Sequence, residues 1–239
     1  MNDDLIFKCE NNIGTITLNR PKRINAITFE MYEKIRTIVK IAGTKKDNND
    51  LKVLIFVGSG ENAFSSGTDI SEFRKFKTSQ EAIDYEKMNE NVFQAIENCE
   101  IPSIAALNGF VTGGGAGIAS ACSIRIGSKD VQIGIPIART LGNFVSISAL
   151  NRYSNIIGSE RLKHMLITSQ LFNADEALIS GFITELHKDK KTVLKRVKEL
   201  ANNISSFAPL TIKATRKGIK RLQEAQNLPN DEDLIKMIK

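Results

Sequence analysis

The 239-residue chain has no tryptophan, only three cysteines and only two histidines. Cys9, Cys99 and Cys122 are odd in number, far apart and never in a CxxC, so neither a disulfide framework nor a thiolate zinc site is readable. Each cysteine reads as a small buried hydrophobe. His164 and His187 form no HExxH or other metal-binding pair, and no metal is expected. His187, in the polar stretch ELHKDK, reads as solvated, and His164, in RLKHMLIT, as a partly buried helix residue. A Ser-His-Asp hydrolase would lack its GxSxG elbow. No apolar run approaches the roughly 18 residues that span a bilayer. The N-terminal MNDDLIFKCE has neither the basic start nor the long apolar core of a signal peptide, so the expectation is a soluble, cytoplasmic chain.

Hydrophobic residues make up 41% and charged residues 25%, ordinary globular usage that disfavours disorder. The net charge of +6 is unevenly placed. Residues 188–221 carry eleven Lys and Arg against Asp189 and Glu199, a local +9 that leaves −3 elsewhere. That basic third is either an anion-binding surface or the wet side of helices.

Leu5–Glu10 and Ile13–Asn19 alternate around Asn11 and Asn12, which predicts an antiparallel hairpin, broken by Arg20-Pro21-Lys22-Arg23. From Asn25 onward, Ile27, Met31, Ile35, Ile38 and Ala42 keep helical spacing. Leu51–Val57 and Ile104–Leu107 read as strands buried on both faces. A helix over 81–98 turns Tyr85, Met88, Val92, Ile96 and Cys99 to one side. Gly113-Gly114-Gly115 leads into a small-residue helix, and short strands follow near 123–127 and 131–135. Helices are expected at 144–152, 159–168, 174–180, 190–205 and 209–226, with Asn173 and Glu176 as a capping box and Gly181 as a helix stop. In the last of these, Ile212, Thr215, Ile219 and Leu222 form a stripe, with Lys213, Arg216, Lys217 and Lys220 on a solvated face. No linker divides the chain, and the layout is α/β.

Two glycine-rich segments carry the chemistry: FSSGTDI (64–70) and NGFVTGGGAG (108–117). The second is no P-loop, because Gly115 and Ala116 stand where Lys-Ser/Thr is required. It is a poor dinucleotide fingerprint, since the sixth position is Ile118 or Ser120. Glycines before a helix permit close backbone approach, and they also leave free N–H groups at the positive end of the helix dipole. One such N–H with one from another loop makes an oxyanion hole.

Together with ITLNRPKRINAI (16–27), VLIFVGSGENAFSSGTDI (53–70), IPSIAALNGFVTGGGAGIASACSIRIGS (101–128) and FNADEALISGFITEL (172–186), these segments resemble the crotonase (enoyl-CoA hydratase/isomerase) superfamily from about residue 5 to 225. The resemblance implies a single crotonase-like domain over 1–239. Its repeated ββα core would span about 1–190, and a helical C-terminal trimerisation region about 190–239. It implies a homotrimer or dimer of trimers acting on an acyl-CoA thioester, with no cofactor beyond coenzyme A as part of the substrate. By position, the N–H groups of Thr68 and Gly114 would hold the thioester oxygen and stabilise an enolate. Arg23, Asn25, Ala26, Ser66, Gly67, Asp69 and Ile70 fall where relatives hold coenzyme A, Arg23 meeting a phosphate.

The pattern also breaks. Relatives that hydrate enoyl-CoA use two glutamates, and here Gly117 and Ile137 occupy their places. Hydration needs groups that activate water and protonate carbon, which glycine and isoleucine cannot supply. Asp69 beside the loop commonly holds it in relatives, and Glu72 reads as an exposed helical residue. Arg139 and Asn143, on the loop that lost its carboxylate, become candidate catalytic residues that select the substrate, Arg139 by binding an acidic acyl group or a developing carboxylate. The chain also ends at DEDLIKMIK, before the further helix that relatives usually carry. Three functions are therefore weighed: an acyl-CoA-processing lyase or isomerase, a non-catalytic acyl-CoA binder and, least, an RNA-binding protein. The last lacks aromatic interleaving for base stacking.

Overall fold

The computed structural model describes residues 3–42, 44, 50–73, 76–140, 142 and 144–224. β1 (Leu5–Glu10) and β2 (Ile13–Leu18) form the expected antiparallel hairpin, with Leu5 opposite Leu18. Asn11 and Asn12 turn it with φ of 50° and 64°, a left-handed conformation that asparagine tolerates. The chain then alternates between two sheets. β3 (Val53–Gly58), β5 (Ser103–Leu107) and β7 (Ile124–Ser128) extend the hairpin sheet in parallel, while β4 (Ala63–Ser65), β6 (Phe110–Thr112) and β8 (Gln132–Gly134) build a three-stranded parallel sheet. β9 (Glu185–His187) completes the large sheet in the order β1-β2-β3-β5-β7-β9.

Helices follow the strand pairs: α1 (Phe29–Ala42), α2 (Ile70–Phe73), α3 (Ser79–Asn98), α4 (Gly114–Ala121) and α5 (Ile137–Thr140). This is the repeated ββα frame of a crotonase fold. The helical remainder is α6 (Ile147–Ile157), α7 (Ser159–Thr168), α8 (Ala174–Ile179), α9 (Lys190–Ser205) and α10 (Pro209–Glu224). α8 carries the Asn173–Glu176 capping box, and Gly181 stops it at φ 80°.

β3 is buried throughout because it feeds two cores. Leu54 and Phe56 join the main core with α1, α3 and α4, whereas Val53, Ile55 and Val57 pack against Val193, Val197, Ala201 and Ile204 of α9. Each fully buried aliphatic side chain contributes about 1.5–3 kcal/mol. No helix among the described residues is long and apolar enough to cross a membrane.

Several local expectations need correction. α1 begins at Phe29 rather than Asn25, because Ile24 and Asn25 are left-handed and Ile27 bridges to Thr68 in a strand-like contact. The strands at 63–65, 110–112 and 185–187 are too short to show a period. Cys9 is exposed, not buried, since β1 is the edge strand and only Leu5 of it reaches the core. His164 is exposed as well, roughly 200° around α7 from the buried Leu162. His187 is half-buried, its Nε2 3.3 Å from Glu185.

The basic face of α10 is the larger surprise. Arg216 donates to the carbonyls of Glu97 (3.1 Å), Ile101 (3.0 Å) and Cys99, closing the C-terminal end of α3. Lys213 pairs with Glu100 and Lys220 bonds Asn98. The expected solvated face is therefore a docking face, drawn to the negative end of a helix and its unpaired carbonyls. Leu210 and Leu222 are instead exposed, each at 76%. In the same basic third, Arg196 pairs with Glu185 and Lys190 binds the Gly58 carbonyl.

Candidate active site

Two loops meet where β4 and β6 end. Gly67 takes φ +99°, and a Cβ there would stand 3.0 Å from the Thr112 carbonyl and 3.3 Å from the Gly114 nitrogen. Only glycine allows this conformation and this approach. The bridge beside it runs from Ile27 N–H to Gly67 C=O and from Asp69 N–H to Ile27 C=O, so the N–H of Thr68 turns the other way. Gly114 opens α4, where an N–H has no partner within the helix. Thr68 and Gly114 both line one cavity of about 260 Å³.

The side chain of Thr68 fixes that geometry. Its Oγ1 lies 2.9 Å from the hydroxyl of Tyr32 on α1 and 2.7 Å from the hydroxyl of Tyr85 on α3. Three hydroxyls share two hydrogen bonds, which leaves one O–H for a further acceptor. Tyr85 lines the cavity and Tyr32 is fully buried behind it. Burial raises both phenols above their ordinary pKa, so they remain neutral donors. A side chain at position 114 would collide with the Tyr32 hydroxyl, which ties this glycine to the tyrosine packed on it.

Asp69 secures the loop from the outside. It accepts from the Ser71 hydroxyl (2.8 Å) and the Ser71 N–H (3.0 Å), and it pairs with Arg20 at 2.9 Å. Hydrogen bonds from Ser71 first, and then Arg20, hold its carboxyl at about 2. Asn25, 1% exposed, spends its side chain inward: Nδ2 donates to the carbonyls of Ser59 and Ala63, and Oδ1 accepts from the Arg20 N–H. Its own N–H and C=O are taken by Arg20 and Ser65.

The expected residues therefore divide. Ser66, Gly67, Thr68, Ile70 and Gly114 line the cavity, as do Gly117 and Ile137, the two positions expected from the sequence resemblance to correspond to glutamates. Asn25 is a structural tie with no group left for a ligand, a correction to its expected contact with coenzyme A. Ala26 bonds internally through its N–H and C=O, and Asp69 braces the loop without lining the cavity. Arg23 and Arg139 are exposed and outside the lining, and Glu72 is outside it too, so an acyl-binding role for Arg139 has no geometric support. Asn143 lies outside the described residues.

What sequence reasoning missed comes from α1, α3 and α6. Tyr85, Glu86, Asn89, Glu90 and Phe93 all face the cavity from α3, joined by Arg152 and Tyr153 of α6. Arg152 is 8% exposed and grips Glu90 (2.7 Å) and Glu97 (2.5 Å). Burial works against its charge, and the two carboxylates outweigh burial and raise its pKa. The Phe93 ring lies against Gly117, occupying the space a side chain there would need. The only signal in the sequence was polar residues at three- and four-residue spacing along the apolar edge of α3.

Comparisons with known proteins agree with this frame. The family model for enoyl-CoA hydratase/isomerase matches residues 8–238. A short-chain-enoyl-CoA hydratase of Clostridium acetobutylicum is 32% identical, the match covering 92% of this chain and 82% of the relative. A crotonyl-CoA hydratase of Syntrophomonas wolfei is 30% identical over 90% of this chain and 80% of its own length. The solved structure of an enoyl-CoA hydratase/carnithine racemase from Magnetospirillum magneticum superposes with a TM-score of 0.87 at 27% identity, covering 97% of this chain and 85% of that one. Two sheets on a ββα repeat define a crotonase-type protein. The chain belongs to the enoyl-CoA hydratase/isomerase family.

Proposed function

We propose that the protein binds an acyl-CoA thioester and stabilises its enolate. The observation that carries this is the pair of N–H groups, Thr68 and Gly114, set against one cavity by Gly67 and Gly113. Two fixed donors on a thioester oxygen favour the state in which charge has moved onto that oxygen, and removal of one such donor costs about 10²–10³ in rate. The Tyr32–Thr68–Tyr85 hydroxyls keep the donors in place as charge develops. Ser66, Gly67 and Ile70 lie on the path of the pantetheine arm, and the exposed Arg23 is available to a phosphate. Coenzyme A, as part of the substrate, is the one cofactor this scheme needs.

The chemistry suited to this site is a proton shift through the enolate. Hydration by two glutamates does not fit, because Gly117 is packed under Phe93 and Ile137 presents only hydrocarbon. The same observation favours a second reading, a non-catalytic acyl-CoA binder. Incubation with a panel of enoyl- and malonyl-type CoA esters, read by mass spectrometry, separates the two. Product from any ester supports the enzyme, whereas measured binding with no product supports the binder. An RNA-binding role loses weight because Lys213, Arg216 and Lys220 face α3.

A homotrimer fits the exposed Phe207, Leu210, Ile219 and Leu222, whose apolar surface a second copy would cover. Light scattering should give a trimer or hexamer, and Leu210→Asp with Leu222→Asp should dissociate it. A monomeric wild type would remove this assembly from the proposal.

A further inference from the structure

The reaction assigned above needs a base, and the two positions that provide one in relatives are apolar. The described lining of the cavity contains no histidine, lysine, cysteine or aspartate. Its ionisable members are Tyr85, Tyr153, Arg152, Glu86 and Glu90. Burial keeps both tyrosines protonated, so neither offers a phenolate to take the substrate proton. Arg152 is a cation already committed to two carboxylates. Glu90 faces that guanidinium with both oxygens, at 2.7 and 3.4 Å, and so points at Arg152. Glu86 lies one helical turn before Glu90 on α3, next to Tyr85, and lines the same cavity as Thr68 and Gly114.

We propose that Glu86 is the catalytic base of this site, α3 supplying the carboxylate that the glycine of α4 withholds. The inference rests on the acyl-CoA reading. A second feature marks the same space as one built for a polar guest: Asn89, 6% exposed and lining the cavity, leaves its Oδ1 buried without a hydrogen-bond partner. Buried polar groups are rarely left so, and a bound molecule with a donor would satisfy it.

The step balances without a further reactant. The Glu86 carboxylate takes a proton from the carbon next to the thioester carbonyl. The C–H electron pair forms a C=C bond to the carbonyl carbon, and the C=O π pair moves onto oxygen, where the N–H groups of Thr68 and Gly114 hold it. The carboxylic acid so formed returns a proton to the α-carbon, or to the γ-carbon of an unsaturated chain. In heavy water the acid exchanges before return, and deuterium appears in the acyl group.

The test uses the full chain, butyryl-CoA and heavy water, with binding followed by calorimetry and exchange by mass spectrometry. The wild type should incorporate deuterium at the α-carbon. Glu86→Gln should bind the ester within about twofold and lose about 10²–10⁴ of the exchange rate, the usual worth of a general base. Glu86→Asp should recover part of it. Bound ester with no exchange in the wild type, or unchanged exchange in Glu86→Gln, would overturn Glu86 as base and leave the binding reading intact. Failure of any CoA ester to bind would remove both.

Discussion

The ring of Phe93 on α3 sits directly over Gly117 on α4. A Cβ at 117 would stand 2.8 and 2.9 Å from two of its ring carbons. Gly117→Glu should therefore destabilise the protein by about 1–3 kcal/mol through overpacking. Phe93→Ala alone should cost about 3–5 kcal/mol by leaving a cavity. Combined, they should cost less than their sum, because each relieves the other. A double-mutant cycle read by chemical denaturation checks this, and strict additivity would mean that the ring does not fill the side-chain space.

Thr68 supplies a backbone donor and a side-chain hydroxyl, and these can be separated. Thr68→Val keeps the N–H but strips Tyr32 of its buried hydrogen-bond partner, at a cost of about 1–3 kcal/mol. Tyr32→Phe removes the donor that needs that partner and should cost less, about 1 kcal/mol. Thermal melting of both variants gives the comparison. Equal costs would show that the hydroxyl chain is not what orders the loop.

Asp69 has a folded pKa of about 2 against an ordinary value of 3.8. A lowered carboxyl pKa stabilises the fold above the ordinary value, and that stability is lost as pH falls from about 4 through about 2. Asp69→Asn should be less stable than wild type by about 2 kcal/mol near neutrality. The two curves should converge below pH 4. Denaturation across pH 2–7 tests it, and a constant gap would place the stabilisation elsewhere.

Arg216 joins α10 to the end of α3 through carbonyls alone. Arg216→Met should cost about 1.5–3 kcal/mol, the worth of charge-assisted hydrogen bonds. Faster hydrogen exchange should appear along α10 while α9 stays protected. Arg216→Lys should restore only part, since an ammonium cannot span several carbonyls as the planar guanidinium does. Full rescue by lysine would reduce the contact to simple charge.

The sequence by itself determined the frame. Alternation around Asn11 and Asn12, the doubly apolar run at Leu51–Val57 and the helical spacing of Ile35 and Val92 are local patterns. Each requires only knowing which side chains must leave water. The glycines of GTD and GGG were legible for the same reason, since a left-handed turn beside a helix start leaves few residue choices. Tertiary structure alone decided what surrounds those glycines. Glu86, Asn89, Phe93 and Arg152 come from two helices far apart in sequence, with Tyr32 of a third packed behind Thr68, and nothing local says that they meet at one cavity. It also turned much of α10 from the expected apolar in and basic out: Ile212 packs on the α9 core and Lys217 is exposed, but Lys213, Arg216 and Lys220 dock on α3. The negative end of α3 made the basic face the better fit to this chain, leaving the leucines exposed. Periodicity reports which residues share a face; which face is buried depends on the partner, and the partner is set by the fold.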